Sequence, residues 1–372
     1  MPTNAEVEAA LATVVEPELG HPIVDLGMVV GLAVDGPVVA VVLALPLQGE
    51  AREAGLRSLV TDAVVGATDA ERVDVDVREM TPEEQQHCAR VLRAEPPPNP
   101  LRIVDVNAPA RPAARPNPFL DSTTRVIAVS SGKGGVGKSS VTTNLAIALA
   151  QRGNRVAAID ADVWGFSMPR MLGVDHPPDL VDDLIVPPTA NGVRLISMGF
   201  FASEEQAVIW RGPMLHKALE QFLTDVHWGA VDFLVVDMPP GTGDVALSMA
   251  QFLPRAEVIV VTTPQTAAQR VAQRAAAMAA KVDLAVTGVI ENMSWFTGDD
   301  GKRYELFGAG GGRELADRLG VPLLGQVPLV PDLRIGGDDG HPIVVAHPDD
   351  EAAVAFRAIA AAVEAMDPSA DR

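Results

Sequence analysis

The sequence predicts two α/β units in tandem: a mostly parallel sheet covered by helices, preceded by a smaller α/β domain. Three observations predict it. Short apolar runs near 125–130, 155–159, 232–236, 257–262 and 285–290 alternate with helical segments, the pattern of a parallel sheet buried on both faces. A glycine-rich turn joins the first of these runs directly to a helix. A proline-rich stretch divides the chain: Pro96, Pro97, Pro98, Pro100, Pro109, Pro112, Pro116 and Pro118 fall within 23 residues. Proline fixes φ and removes a backbone donor, so the stretch reads as an extended spacer. The expected division is a small domain over 1–93, a linker over 94–121 and a larger domain over 122–372.

In the small domain, Val7, Leu11, Val14 and Val15 recur at helical spacing. Two apolar runs, Met28 to Val34 and Val38 to Leu45, flank Asp35-Gly36-Pro37, a hairpin signal. A helix near Glu50 to Val65, an alternating strand from Arg72 to Val77 and a helix opened by Thr81-Pro82-Glu83-Glu84 complete the unit.

Composition narrows the function. The 372 residues carry 29 Lys plus Arg against 49 Asp plus Glu, a formal charge of -20. A surface that acidic repels phosphate backbones and anionic lipid, so neither nucleic acid nor membrane is an expected partner. The single cysteine, Cys88, excludes an intrachain disulfide and any site built from several thiolates of one chain. An acidic start, Met1 to Glu6, without a charged flank and apolar core, predicts a cytoplasmic protein.

The glycine-rich turn carries the chemistry. Strand Val126-Ile127-Ala128-Val129 leads into Ser130-Ser131-Gly132-Lys133-Gly134-Gly135-Val136-Gly137-Lys138-Ser139-Ser140, and an apolar helix follows. This is a P-loop: glycines let backbone N–H groups turn toward phosphate, a helix N-terminus faces the anion, Lys138 neutralises charge and the Ser139 hydroxyl can ligate Mg²⁺. Two further strands end in carboxylates, one in Asp160-Ala161-Asp162 and one in Asp237 before Met238-Pro239-Pro240-Gly241-Thr242-Gly243-Asp244. Strand C-termini face the crevice where such sheets bind ligands. Asp237 is expected on the metal with Asp160 nearby, and Asp162 on an attacking water.

Gly132-Lys133-Gly134-Gly135-Val136-Gly137-Lys138-Ser139 resembles the deviant Walker A motif of the MinD/ParA/nitrogenase-iron-protein class. That resemblance implies that Lys133 reaches a partner's nucleotide in an ATP-dependent homodimer. Asp160 through Pro169, Trp210-Arg211-Gly212-Pro213-Met214, Asp237 through Asp244 and Glu291-Asn292-Met293-Ser294 together resemble the Mrp/ApbC family of P-loop ATPases. The family's members are regarded as Fe-S cluster carriers or assembly scaffolds, which implies apoprotein clients. By the same resemblance Asn292 falls where the class contacts adenine, and the leading domain, with Glu16-Pro17-Glu18-Leu19-Gly20 and Ile23 to Met28, is similar to an Fe-S assembly domain.

The chain departs from the family in its sulfur. Where cluster-carrying members place C-x-x-C, it reads Thr297-Gly298-Asp299-Asp300-Gly301, so Gly298 and Gly301 stand at the cysteine positions. Leu47-Gln48-Gly49-Glu50 likewise lacks a reactive cysteine. Asp299, Asp300 and Glu305 read as an acidic turn in solvent. The expected function is therefore an ATPase using ATP and Mg²⁺ to transfer or assemble Fe-S clusters, with the cluster implied by resemblance alone. Two alternatives stay open: a ParA/MinD-like positioning ATPase, or an ATP-driven metalloprotein chaperone that carries no cluster.

Overall fold

The computed structural model describes residues 2–46, 50–92, 117–120, 122–163, 165–181, 184–201, 212–241 and 244–366. Most of the proline-rich stretch, Leu47-Gln48-Gly49, Trp164, Trp210-Arg211 and Thr242-Gly243 lie outside the described residues. The chain packs as two units. The first gathers residues 1–115 with 178–187 and 224–229, and the second holds the rest.

In the first unit, helix Asn4–Leu11 starts at a capping box in which Thr3 and Glu6 satisfy each other's backbone N–H groups. Strands Val29–Asp35 and Val38–Leu45 pair antiparallel across the predicted turn, where Gly36 takes φ 59°. Helix Glu50–Ala67 then crosses over to strand Arg72–Glu79, which runs parallel to Val38–Leu45. Thr81 and Glu84 cap helix Pro82–Leu92 as the sequence predicts. Leu11, Ile23, Leu43, Leu56 and Val60 form the core, each no more than 1% exposed.

A hairpin from near the middle of the chain completes this core. Short strands Asp179–Val181 and Leu184–Val186 form a hairpin whose Val181, Leu184 and Val186 join the same cluster. Arg52 holds it in place, with Nη1 at 3.0 Å from Asp179 Oδ2 and Nε at 3.6 Å from Glu16 Oε1. Three-residue strands carry too little periodicity to be read from sequence.

The second unit is built on eight strands. Their order is Leu323–Val327, Ala285–Asn292, Glu257–Thr262, Arg125–Ser131, Phe233–Asp237, Val156–Asp160, Val193–Ser197 and Thr189–Ala190. Every neighbouring pair is parallel except the last. The five predicted strands are the inner ones, and the outer three escape prediction. Arg194 and Gln326 interrupt the apolar runs of Val193–Ser197 and Leu323–Val327 with part-exposed or exposed positions. Helix Lys138–Gln151, buried almost all round, packs with Phe356, Ile359 and Val363 of helix Glu351–Ala365. Each such apolar side chain contributes roughly 1.5–3 kcal/mol when removed from water. Register places Val129, Asp237, Asp160 and Ser197 side by side, so two carboxylates sit at adjacent strand ends. No helix among the described residues is long and apolar enough to cross a membrane.

Candidate functional site

The loop between strand Arg125–Ser131 and helix Lys138–Gln151 owes its shape to its glycines. A Cβ on Gly132 would lie 2.3 Å from the Val271 carbonyl carbon, so the loop runs hard against helix Thr266–Lys281 and only glycine fits. Gly135 and Gly137 take φ of 78° and 77°, the left-handed region that glycine enters without strain. Gly137 is the N-cap and offers no side-chain cap, leaving the helix's first amides to an outside acceptor. In front of them opens a cavity of about 370 Å³ whose lining includes Lys133, Gly134, Gly135, Lys138, Ser139 and Asp162. That volume is in the range of small-molecule sites, ~300–1,000 Å³.

Beneath the cavity floor lies the charge centre. Asp237, fully buried, accepts from Lys138 Nζ, Ser139 Oγ and Thr142 Oγ1, each at 2.6 Å. Lys138 Nζ also lies 3.6 Å from Asp162 Oδ2. A hydroxyl and a carboxylate oxygen thus converge beside a lysine that neutralises them, the donor set a hard cation takes.

Asp160 has a different surrounding from the other carboxylates. Its Oδ2 accepts from the Ser167 and Met168 amides at 3.1 and 3.2 Å and from Ser197 Oγ at 3.1 Å, and its Oδ1 from the Asp162 amide at 3.3 Å. It holds the entry to helix Met168–Leu172, whose Met171 lines the cavity. Burial first, then the neighbouring Asp237 charge, push its carboxyl up to about 7 against these donors.

Of the sequence-predicted residues, Lys133, Gly134, Gly135, Gly137, Lys138, Ser139, Ser140 and Asp162 line this cavity. Val136, Asp160, Asp237 and Asn292 are buried outside its lining, and Gly132, half-buried, is not part of that lining either. Lys133 Nζ reaches Gln265 Oε1 at 3.5 Å, and Gln265 is fixed by Thr263 Oγ1 at 3.0 Å. Asn292, only 2% exposed, donates from Nδ2 to the Val136 carbonyl at 2.9 Å, bracing the loop from behind. Its Oδ1 has no hydrogen-bond partner among the described residues.

Glu291 is a positioning residue that sequence reasoning missed. Fully buried, its carboxylate accepts from Ser294 Oγ at 2.9 Å, from Gln326 Nε2 at 2.6 Å and from the Gly312 amide at 2.5 Å. It ties the strand carrying Asn292 to the next strand and to helix Gly311–Leu319. The sequence signals it carried, an acidic residue near the end of an apolar strand and a place in Glu291-Asn292-Met293-Ser294, do not show what its carboxylate holds.

Comparison with known proteins places these features. Residues 122–364 match a family described as NUBPL iron-transfer P-loop NTPase, and residues 4–77 match one described as iron-sulfur cluster assembly protein. The iron-sulfur cluster carrier protein of Mycobacterium tuberculosis is 47% identical over 356 residues, covering 93% of this chain and 89% of the relative. A nucleotide-binding protein from Archaeoglobus fulgidus, solved in complex with ADP, is 33% identical with a TM-score of 0.52, over 61% of this chain and 89% of that one. The septum site-determining protein MinD of Pyrococcus horikoshii, complexed with Mg-ADP, is 28% identical with a TM-score of 0.52, over 65% of this chain and 96% of that one.

Proposed function

The chain belongs to the NUBPL iron-transfer P-loop NTPase family, and on that footing we propose that it binds and hydrolyses ATP with Mg²⁺ and uses the cycle to deliver Fe-S clusters to apoproteins. The observation that carries the nucleotide half is the convergence of Lys138, Ser139 and Thr142 on Asp237 beneath an uncapped helix N-terminus. The amides of 134–139 take the phosphates, and Lys138, whose Nζ lies 2.6 Å from Asp237 Oδ2, sets its positive charge beside them. Ser139 and Asp237 would hold Mg²⁺, which when bound neutralises phosphate charge. Asp162, on the cavity wall, orients the attacking water. Asp160 holds the 167–168 turn so that this wall keeps its place. Lys133 completes the neighbouring nucleotide in a cytoplasmic homodimer. Leading residues 4–77 supply the Fe-S assembly unit of the same task.

Titration calorimetry and phosphate release test this reading. Lys138→Ala and Asp237→Ala are expected to lose ATP binding or turnover while keeping the wild-type circular dichroism spectrum. Unchanged affinity and rate in both variants would overturn it.

A further inference from the structure

An Fe-S cluster in transit has to be held by ligands, and those ligands are Cys thiolates, with His replacing some of them in particular centres. This chain has one cysteine in 372 residues. Cys88 lies on helix Pro82–Leu92 with no exposed surface, inside the core of the first unit. Burial, then the charge of Glu16, push its thiol up to about 12, so it is neither ionised nor accessible at neutral pH. A homodimer doubles this to two thiols, each closed inside its own core. No group of three or more His, Cys, Asp or Glu among the described residues is arranged to hold a metal.

The hairpin after Asn292 shows what stands at the expected ligand position. Strands Phe296–Thr297 and Arg303–Tyr304 pair antiparallel around it. Gly301 takes φ 72°, where a cysteine would be strained, and a Cβ on Gly298 would lie 2.8 Å from Tyr304 Cε2. Between them Asp300 spends both carboxylate oxygens on the hairpin itself. Its Oδ1 accepts from the Lys302 amide at 3.1 Å, and its Oδ2 accepts from Tyr304 Oη at 2.9 Å with Lys302 Nζ at 3.2 Å. The backbone closes the same turn, with the Gly298 amide donating to the Lys302 carbonyl at 2.9 Å. Arg303 lies over the Trp295 ring at 4.2 Å, fastening the base of the hairpin. The turn is thus a self-satisfied cap with its own internal bonds, and a ligating side chain would be strained at Gly301 and would have to displace the Tyr304 ring at Gly298.

We infer that this chain holds no Fe-S cluster on its own side chains, and that the cluster it handles stays ligated by thiolates of a partner protein throughout. The inference rests on the cluster-delivery function proposed above and deepens it: the chain supplies nucleotide-controlled docking, and the partner supplies the sulfur. In the transfer step, iron–thiolate bonds to a donor protein break and iron–thiolate bonds to an acceptor form. This is a ligand exchange without change of electron count, in which no bond to this chain takes part.

Anaerobic loading of the full-length protein with ferrous iron and sulfide, followed by desalting, tests the inference. A family member that carries the C-x-x-C pair is treated in parallel. With or without ATP, the expected result is iron, acid-labile sulfide and visible thiolate-to-iron absorption all at the level of a thiol-free blank, and the same in Cys88→Ser. Iron and sulfide stoichiometric with the dimer, retained through desalting, would overturn the inference. ATP titration of the same samples reads the nucleotide site separately. Stoichiometric cluster with normal ATP binding removes this inference and leaves the proposed ATPase standing, whereas absent ATP binding removes the ATPase reading itself.

Discussion

Gly137→Ala probes the wall behind the phosphate cradle. Two costs are built into that position. Its φ of 77° strains any residue with a Cβ, by about 1–2 kcal/mol. The added Cβ would also lie 2.2 Å from Asn292 Nδ2, so Asn292 must leave the Val136 carbonyl, a net hydrogen-bond loss of about 0.5–1.5 kcal/mol. The single variant should therefore lose about 1.5–3.5 kcal/mol. Asn292→Ala loses the hydrogen bond alone, about 0.5–1.5 kcal/mol. Because both variants break the same bond, the double variant should lose no more than Gly137→Ala does, a coupling of about 0.5–1.5 kcal/mol. Urea unfolding without nucleotide measures the cycle, with a constant m-value required for the comparison. Strictly additive losses would refute the brace. Nucleotide titration adds a second reading: as a brace, Asn292→Ala weakens ATP and GTP by the same factor, whereas a residue that reads the base would change their ratio.

Three further outcomes are expected. Lys133→Ala should bind ATP as a monomer but fail to dimerise with it, and a wild-type dimer by sedimentation would end the cross-subunit role. Asp160 has a raised carboxyl, so the folded state holds its proton more tightly than the unfolded chain, and stability without nucleotide falls from about pH 4 to about pH 7 and is flat for this group above. Asp160→Asn should flatten that fall, and parallel urea midpoints for parent and variant between pH 5 and 8 would contradict it. A fragment beginning at 116 should expose Val181, Leu184 and Val186, now buried in the first unit. It should bind a hydrophobic dye and aggregate, and a monomeric fragment with the parent's melting temperature would show the hairpin to be dispensable.

Much of the site was legible because its chemistry is local. The loop from Gly132 to Ser139 must turn, bind phosphate and start a helix within eight residues, and each step demands a particular residue type. Asp237 was legible because a buried strand ending in a carboxylate needs a cation partner. Where a side chain turns is set by distant segments, and there the sequence falls silent. Asp160 ends a strand and Asp162 follows two residues later, yet one turns to the Ser167 and Met168 amides and the other to the cavity. Asn292 reaches back 156 positions to the Val136 carbonyl, a contact that no local pattern carries. The outer strands were missed for two reasons: Leu323–Val327 and Thr189–Ala190 are half-exposed edges that need no continuous apolar run, and Arg194 and Ser197 break the short buried run of Val193–Ser197.

The first unit cannot finish itself from its own end of the chain. As the polypeptide leaves the ribosome, residues 1–115 emerge without the hairpin at 178–187, whose Val181, Leu184 and Val186 join their core, and without the segment at 224–229 that belongs to the same unit. Roughly a hundred more residues must be made first, a wait of ~5–20 s at ~5–20 residues per second. Through that interval the apolar face that Val181, Leu184 and Val186 later cover stays open, so the order of synthesis sets the moment at which this unit can close its core.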